Sequence, residues 1–253
     1  MISVVIITKN EEKNILDCLE SVLWADEIVI VDDNSEDRTL EVVKSLSNKK
    51  IKIYSRDLND DFSSQRNYAL SKATQKWVLF VDADERVPDK LREEMNTFLI
   101  QGVKTSNISG FFIKRKDVLW GKMLKYGETG GIKLLRFAKK DSGIWTGKVH
   151  ETWQVEGNLS EMENYLIHFP HKTIDEFLSE INFYTSLRAK ELYEKGIRGT
   201  VRNIILYPKG KFLKNYFLKL GFLDGIEGFI LAIFMSLHSF LVRGKLWLLW
   251  RKK

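Results

Sequence analysis

WVLFVDAD, residues 77–84, is the stretch that decides the fold. Trp77 to Val81 is apolar at every position, as expected of a strand covered on both faces in the middle of a parallel sheet. The run stops at Asp82-Ala83-Asp84. Sheets of this kind bind ligands beyond the carboxyl ends of their strands. In extended chain, residues i and i+2 point the same way, so both carboxylates are expected to face one cation. Paired hard oxygen donors suit Mg²⁺ or Mn²⁺, which keep positions open for phosphate oxygens. A solvated turn ahead of Pro88 is the plainer alternative.

The same rhythm fills the first hundred residues. Val4 to Thr8 is a second apolar run, with Asn10 as the expected cap of a helix carrying Glu11 and Glu12 in its first turn and Ile15, Leu19 and Val22 on one face. Cys18 shares that face and reads as core filler. Ile28–Val31 ends at Asp32-Asp33, and Ser35 is the expected cap of a helix with Leu40, Val43 and Leu46. Ile51–Tyr54 precedes a polar loop and the helical SSQRNYALSKA, and Pro88 opens a helix to about Ile100. Alternating strand and helix predicts an α/β domain. Thr8, Asp32-Asp33 and Asp82/Asp84 are thereby delivered to one rim. A carboxylate such as Asp33 can accept the imide N–H of a uracil there, and Arg66 suits a planar or polyanionic group.

From about Gly110 the pattern changes to antiparallel strands, GFFIKRK and GIKLLRFAKK, with glycine-rich YGETGG between them, then IWTGKVHETW and a segment ending at LIHFPHK. Thr173 and Glu176 form a capping-box signature for a long helix with Phe177, Ile181, Tyr184 and Leu192 on one side. Of Trp120, Trp145 and Trp153, two are expected in the core, and the third is free to stack on a ligand. His150 and His168 are candidates for metal or phosphate contact, with hydrogen-bonded structure as the alternative.

Composition sets the class. The chain has 253 residues, 44% of them hydrophobic and 12% aromatic, enough for a substantial core. One cysteine fits a reducing compartment, and the short N-terminal apolar run with no basic residue before it predicts no export signal. The net charge of +6 is uneven: residues 199–253 hold ten Lys and Arg against Asp224 and Glu227, while the other residues hold 30 basic and 32 acidic side chains. A basic, aromatic-rich end on a near-neutral body points to an anionic membrane surface rather than to nucleic acid. The longest uncharged run there, between Glu227 and Arg243, has only 15 residues against the roughly 20 needed to span, so attachment is expected to be peripheral. Packing on protein or on a second subunit is the alternative, and a homo-oligomer is left open.

VVIITKNEE, IVDDNSEDRT, SSQRNYAL and FVDADE, in this order and spacing, resemble the family 2 glycosyltransferases of GT-A fold. YGETGG, KLLRF, WTGKVHE, LIHFPHKTIDEFL and GFLDGIEGFILA resemble the branch near lipopolysaccharide-core glucosyltransferases. The resemblance implies a Rossmann-like nucleotide-sugar-binding domain with a mixed sheet plus a C-terminal amphipathic helical extension. In this reading, residues 1–105 are the nucleotide-sugar half, 106–172 the acceptor and catalytic half, and 173–253 the basic, membrane-associated region. It implies substrate binding by Thr8, Asn10, Glu11, Asp33, Arg66, Asp82 and His150, and a Mg²⁺ or Mn²⁺ ion on Asp84 and His168. The acidic pair that supplies the base in many members is absent, and His150-Glu151 stands at its place, which makes Glu151 the candidate base.

The implied activity is inverting transfer of a hexose from a nucleotide-diphosphate sugar, UDP-glucose or similar, to a glycan or lipid-linked acceptor in envelope polysaccharide or lipopolysaccharide-core synthesis. The enzyme would lie on the cytoplasmic face of the cell membrane. A protein or peptide acceptor and a catalytically inactive membrane-bound scaffold are the alternatives, though intact Asp33, Asp82, Asp84 and Glu151 weigh against the scaffold. A sugar nucleotidyltransferase would need glycines after the first strand, and ITKNEE has none.

Overall fold

The computed structural model describes residues 1–100, 107–147, 151–171 and 173–251. They divide into two compact units, Met1–Arg115 with Lys133–His168, and Lys116–Ile132 with Phe169–Lys253.

The first unit is built from the predicted apolar strands. β1 (Ile2–Thr8), β2 (Glu27–Asp32) and β3 (Ile51–Ser55) run parallel, and β4 (Trp77–Phe80) joins β1 on its other side. Helices α1 (Ile15–Val22), α2 (Thr39–Ser45) and α3 (Phe62–Lys72) make the crossovers. Alternate side chains fill two cores, as both-face burial requires. Val4, Ile6, Ile28, Ile30 and Leu79 meet Ile15, Leu19, Val43 and Cys18 on one face; Val5, Val29, Val78 and Phe80 meet Ala69 and Leu70 of α3 on the other.

Beyond β4 the chain forms the short β5 (Glu85–Arg86), α4 (Asp89–Ile100), β6 (Ile108–Leu119), β7 (Lys122–Met123) and β8 (Lys133–Lys139). The hairpin strands β9 (Gly143–Thr146) and β10 (Thr152–Val155) precede β11 (Asn158–His168). Among the described residues the main sheet has the order β3-β2-β1-β4-β8-β6-β11-β5, with β7 on β6. β8 is antiparallel to both β4 and β6, so the sheet is mixed.

Three local expectations change. α1 starts at Ile15 rather than after Asn10, whose φ of +55° is left-handed backbone that cannot start a helix. Ser35 does not cap α2: its N–H and hydroxyl donate to Asp32, and Asp37 Oδ1 instead accepts from the Thr39 N–H and hydroxyl. Residues 82–85 form a turn, closed by the Glu85 N–H on the Asp82 carbonyl at 2.8 Å, rather than extended chain.

The second unit holds α5 (Ile174–Glu194), α6 (Val201–Leu213) and α7 (Gly225–Arg251), with a π-helical turn over Lys214–Leu218 and a 3₁₀ turn over Gly221–Asp224 between the last two. The Thr173–Glu176 capping box forms. Phe177, Ile181 and Leu192 of α5 are buried; Tyr184 is exposed, and the inner position is taken by Thr185. α7 is longer than the uncharged run predicted, because Arg243 and Lys245 do not interrupt it. Gly221–Arg251 is, by length and composition, able to cross a membrane.

Candidate active site

The strand ends and one helix deliver the predicted residues in two groups, with Asp84 and His168 as a separate pair. At the ends of β1 and β2, Thr8 is buried with its hydroxyl unpartnered, and its carbonyl accepts the Asp33 N–H at 2.9 Å. Asp33 accepts from Lys9 Nζ at 2.8 Å and from the Leu58 N–H at 2.9 Å, which fixes the loop after β3. Asn10 and Glu11 belong to this group: Asn10 Oδ1 accepts the Glu36 N–H and the Glu11 N–H donates to Thr39.

The second group centres on Arg66, in the middle of α3 and almost fully buried. Its Nε donates to Glu151 Oε1 at 3.0 Å and its Nη2 to Asp82 Oδ1 at 2.9 Å. Its guanidinium lies 4.7 Å from the ring centre of Trp145, a cation–π contact inside the protein. Asn67, one residue on, exchanges two hydrogen bonds with the backbone of Trp145, so α3 and β9 are tied where Arg66 must point. Trp145 and Trp153 stack across the hairpin at 5.5 Å and are buried against Phe80. These are the two core tryptophans. Trp120 is partly buried, at a left-handed φ of +48°.

Arg136 of β8 is the residue that sequence reasoning missed. It is buried, and donates to Asp82 Oδ2 at 2.5 Å and Oδ1 at 3.4 Å. Its signal was available: an arginine among apolar residues in KLLRF sits on a covered strand, and a buried guanidinium needs a carboxylate partner. Burial alone would raise the Asp82 carboxyl, but the charges of Arg136 and Arg66 and their hydrogen bonds hold it well below the usual carboxylate range. Neighbouring Glu85 goes the other way: burial, reinforced by the Asp82 charge, raises it despite Arg136.

Both Asp82 oxygens are thus engaged by guanidinium groups, and Asp84 turns to a different partner. Its Oδ2 lies 3.1 Å from His168 Nε2, at the end of β11. Among the described residues no three His, Cys, Asp or Glu side chains converge as a complete metal site. The pair nonetheless fits a cation that takes its remaining ligands from phosphate and water. Adjacent ligands of an octahedron with bonds of about 2.1 Å stand ~3 Å apart. His150 lies outside the described residues.

Beside this geometry, the model of Glycosyl transferase family 2 matches residues 3–153, more than half of the chain. The chain belongs to glycosyl transferase family 2. This family 2 glycosyltransferase is 30% identical over 250 residues to the lipopolysaccharide core biosynthesis glycosyltransferase LpsC of Rhizobium meliloti, covering 97% of this chain and 92% of that protein. It is 27% identical over 257 residues to an uncharacterized glycosyltransferase of Rickettsia typhi, covering 97% and 86%. Among solved structures it is similar to S. aureus TarS 1-349 in complex with UDP-GlcNAc, with a TM-score of 0.51 and 16% identity, over 99% of this chain and 91% of that one. At that identity the likeness establishes the fold. The mixed sheet of this glycosyltransferase is the GT-A sheet.

Proposed function

We propose that this transferase moves a hexose, with inversion, from UDP-glucose or a similar UDP-sugar to a glycan or glycolipid acceptor of lipopolysaccharide-core or other envelope polysaccharide synthesis. The observation that carries the reading is Arg66 joining Glu151 to Asp82 beside the Asp84–His168 pair. The relation to LpsC supports the acceptor class, and the UDP-GlcNAc complex of TarS the donor class.

Each residue then has work to do. Thr8, with a buried hydroxyl lacking a partner, and Asp33 hold the uridine, with Asn10 and Glu11 shaping that rim. Asp84 and His168 hold Mg²⁺ or Mn²⁺, which when bound neutralises charge on the leaving diphosphate. Glu151 takes the proton from the acceptor hydroxyl as its oxygen attacks the anomeric carbon. The new C–O bond forms on one face, the bond to the diphosphate oxygen breaks on the other, and the centre inverts with no glycosyl–enzyme. Arg66 orients Glu151, and Asp82, held by Arg136, orients Arg66. The body works at the cytoplasmic face of the membrane that carries the acceptor.

Thermal melting titrated with UDP, with and without Mn²⁺, tests the donor assignment. A ligand at 100-fold its Kd adds about 2.7 kcal/mol, a shift of about 5 °C for a chain of this size. UDP should raise Tm, Mn²⁺ should increase the rise, and Asp84→Asn should remove only the increase. A melt indifferent to UDP in either condition refutes the proposal.

A further inference from the structure

The exposed large apolar side chains gather in the second unit. Twenty of the 26 large hydrophobic side chains exposed among the described residues lie between Ile174 and Leu248. Scattered exposed leucines are ordinary, but contiguous ones mark an interaction surface. The densest run is the turn between α6 and α7. Phe217 is 52% exposed, Leu218 80%, Leu223 52% and Ile226 62%, and Leu213, Leu220 and Phe222 are also exposed. Leu220 has a left-handed φ of +57°, a conformation disfavoured for a branched side chain. The π-turn and the 3₁₀ turn thus form a knob that presents its apolar residues outward.

Within Leu213–Ile226 the exposed charges are all basic, and the two partly exposed carboxylates at its border, Glu128 and Glu227, are each paired with a lysine, Lys211 and Lys122. Lys214 and Lys219 are exposed within it, and Arg202 and Lys209 along α6. The one acid between Val201 and Ile226, Asp224, is buried, its carboxylate accepting the N–H groups of Lys125 and Tyr126. α6 itself has no buried residue. Exposed apolar groups flanked by lysines, with the neighbouring acids buried or paired, complement an anionic lipid surface.

α7 is the obvious rival as the membrane element, and its packing argues against that. Three of its buried residues, spread along its length, lie against α5: Leu231 with Phe177 and Ile181, then Val242 and Leu246 with Ala189 and Leu192. Lys245 Nζ donates to the Asn182 carbonyl and to the Thr185 and Ser186 hydroxyls of α5 at 2.6–2.8 Å. α5 carries seven charged residues, Asp175, Glu176, Glu180, Arg188, Lys190, Glu191 and Glu194. A spanning α7 would have to abandon this partner or carry its charges into hydrocarbon.

We propose that the knob Leu213–Ile226 is the membrane-docking element of this protein, inserting Phe217, Leu218 and Leu223 into the interface of an anionic bilayer while α7 stays within its helical unit. The proposal rests on the reading of a membrane-borne acceptor. Flotation and label fluorescence use neither donor nor acceptor, so the two readings fail separately.

The full chain is floated with vesicles of phosphatidylcholine containing about a third phosphatidylglycerol, and with phosphatidylcholine alone. The wild type should float with the anionic vesicles, less so in high salt. Phe217→Ser/Leu218→Ser should partition at least about tenfold more weakly, since each withdrawn side chain contributes that much. Its UDP-dependent melting shift should stay unchanged, because both residues are exposed. A second measurement places the contact. Cys18 is fully buried, so an environment-sensitive fluorophore can be attached at Leu218→Cys or, on mid-α7, at Phe240→Cys. Anionic vesicles should shift the label at 218 to an apolar signal and leave that at 240 in place. The proposal is overturned if the wild type does not float or if the label at 240 enters lipid while that at 218 does not. It is equally overturned if the label at 218 shifts without vesicles as protein concentration rises, which would make the knob a self-association surface.

Discussion

Asp82 shows how one side chain can be set by its partners rather than by its motif. Two guanidinium groups engage both of its oxygens, while about a quarter of the side chain still faces solvent. Its folded-state pKa lies below the unfolded value of about 3.9, so its contribution to stability is fully present above that pH and is lost as pH falls through the folded value. Asp82→Asn should therefore flatten the acid limb of the stability curve below about pH 4. At neutral pH it should cost about 3 kcal/mol, the low end for leaving buried charge without its partner. Urea unfolding at pH 7 and pH 3 checks this; equal loss at both would contradict it. The acidic pair was legible in the sequence because it ends an apolar run. Its division was not, since the turn at 82–85 and the arrival of Arg136 from β8, 54 residues on, are not local facts.

The β9–β10 hairpin is the element on which the site depends. It supplies the Trp145 ring beneath Arg66, and Glu151 immediately precedes β10. Gly143 pairs with Val155 so closely that a Cβ there would lie 1.9 Å from the Gln154 carbonyl oxygen. Gly143→Ala should cost about 1–3 kcal/mol through overpacking. It should also lower kcat more than the donor KM, because it moves Glu151 and Arg66 while leaving the Thr8–Asp33 rim alone. Calorimetry and steady-state kinetics decide the matter; a stable variant with full turnover would show that the hairpin does not position the base. β1–β4 could be placed from the sequence because all-apolar runs between helices admit few arrangements. The start of α1 could not, since Asn10 carries a cap's side chain on a left-handed backbone. The extent of α7 was hidden by Arg243 and Lys245: a lysine bonded to a neighbouring helix ends an apolar run on paper without ending the helix.

At the scale of the molecule, the uneven charge read from composition follows the division into two units. The unit holding Arg66, Asp82, Asp84 and Glu151 contains the buried ionic network, and residues 199–253 of the other carry ten basic side chains. Glu151 is the residue on which the proposed chemistry turns, and Glu151→Gln keeps an oxygen for Arg66 while removing the proton acceptor. The direct measurement is UDP release from a UDP-sugar, wild type against Glu151→Gln, with donor KM and kcat determined separately. The expected result is a kcat lower by about 10²–10⁴ with donor KM nearly unchanged. A Glu151→Gln enzyme that turns over at the wild-type rate would contradict it.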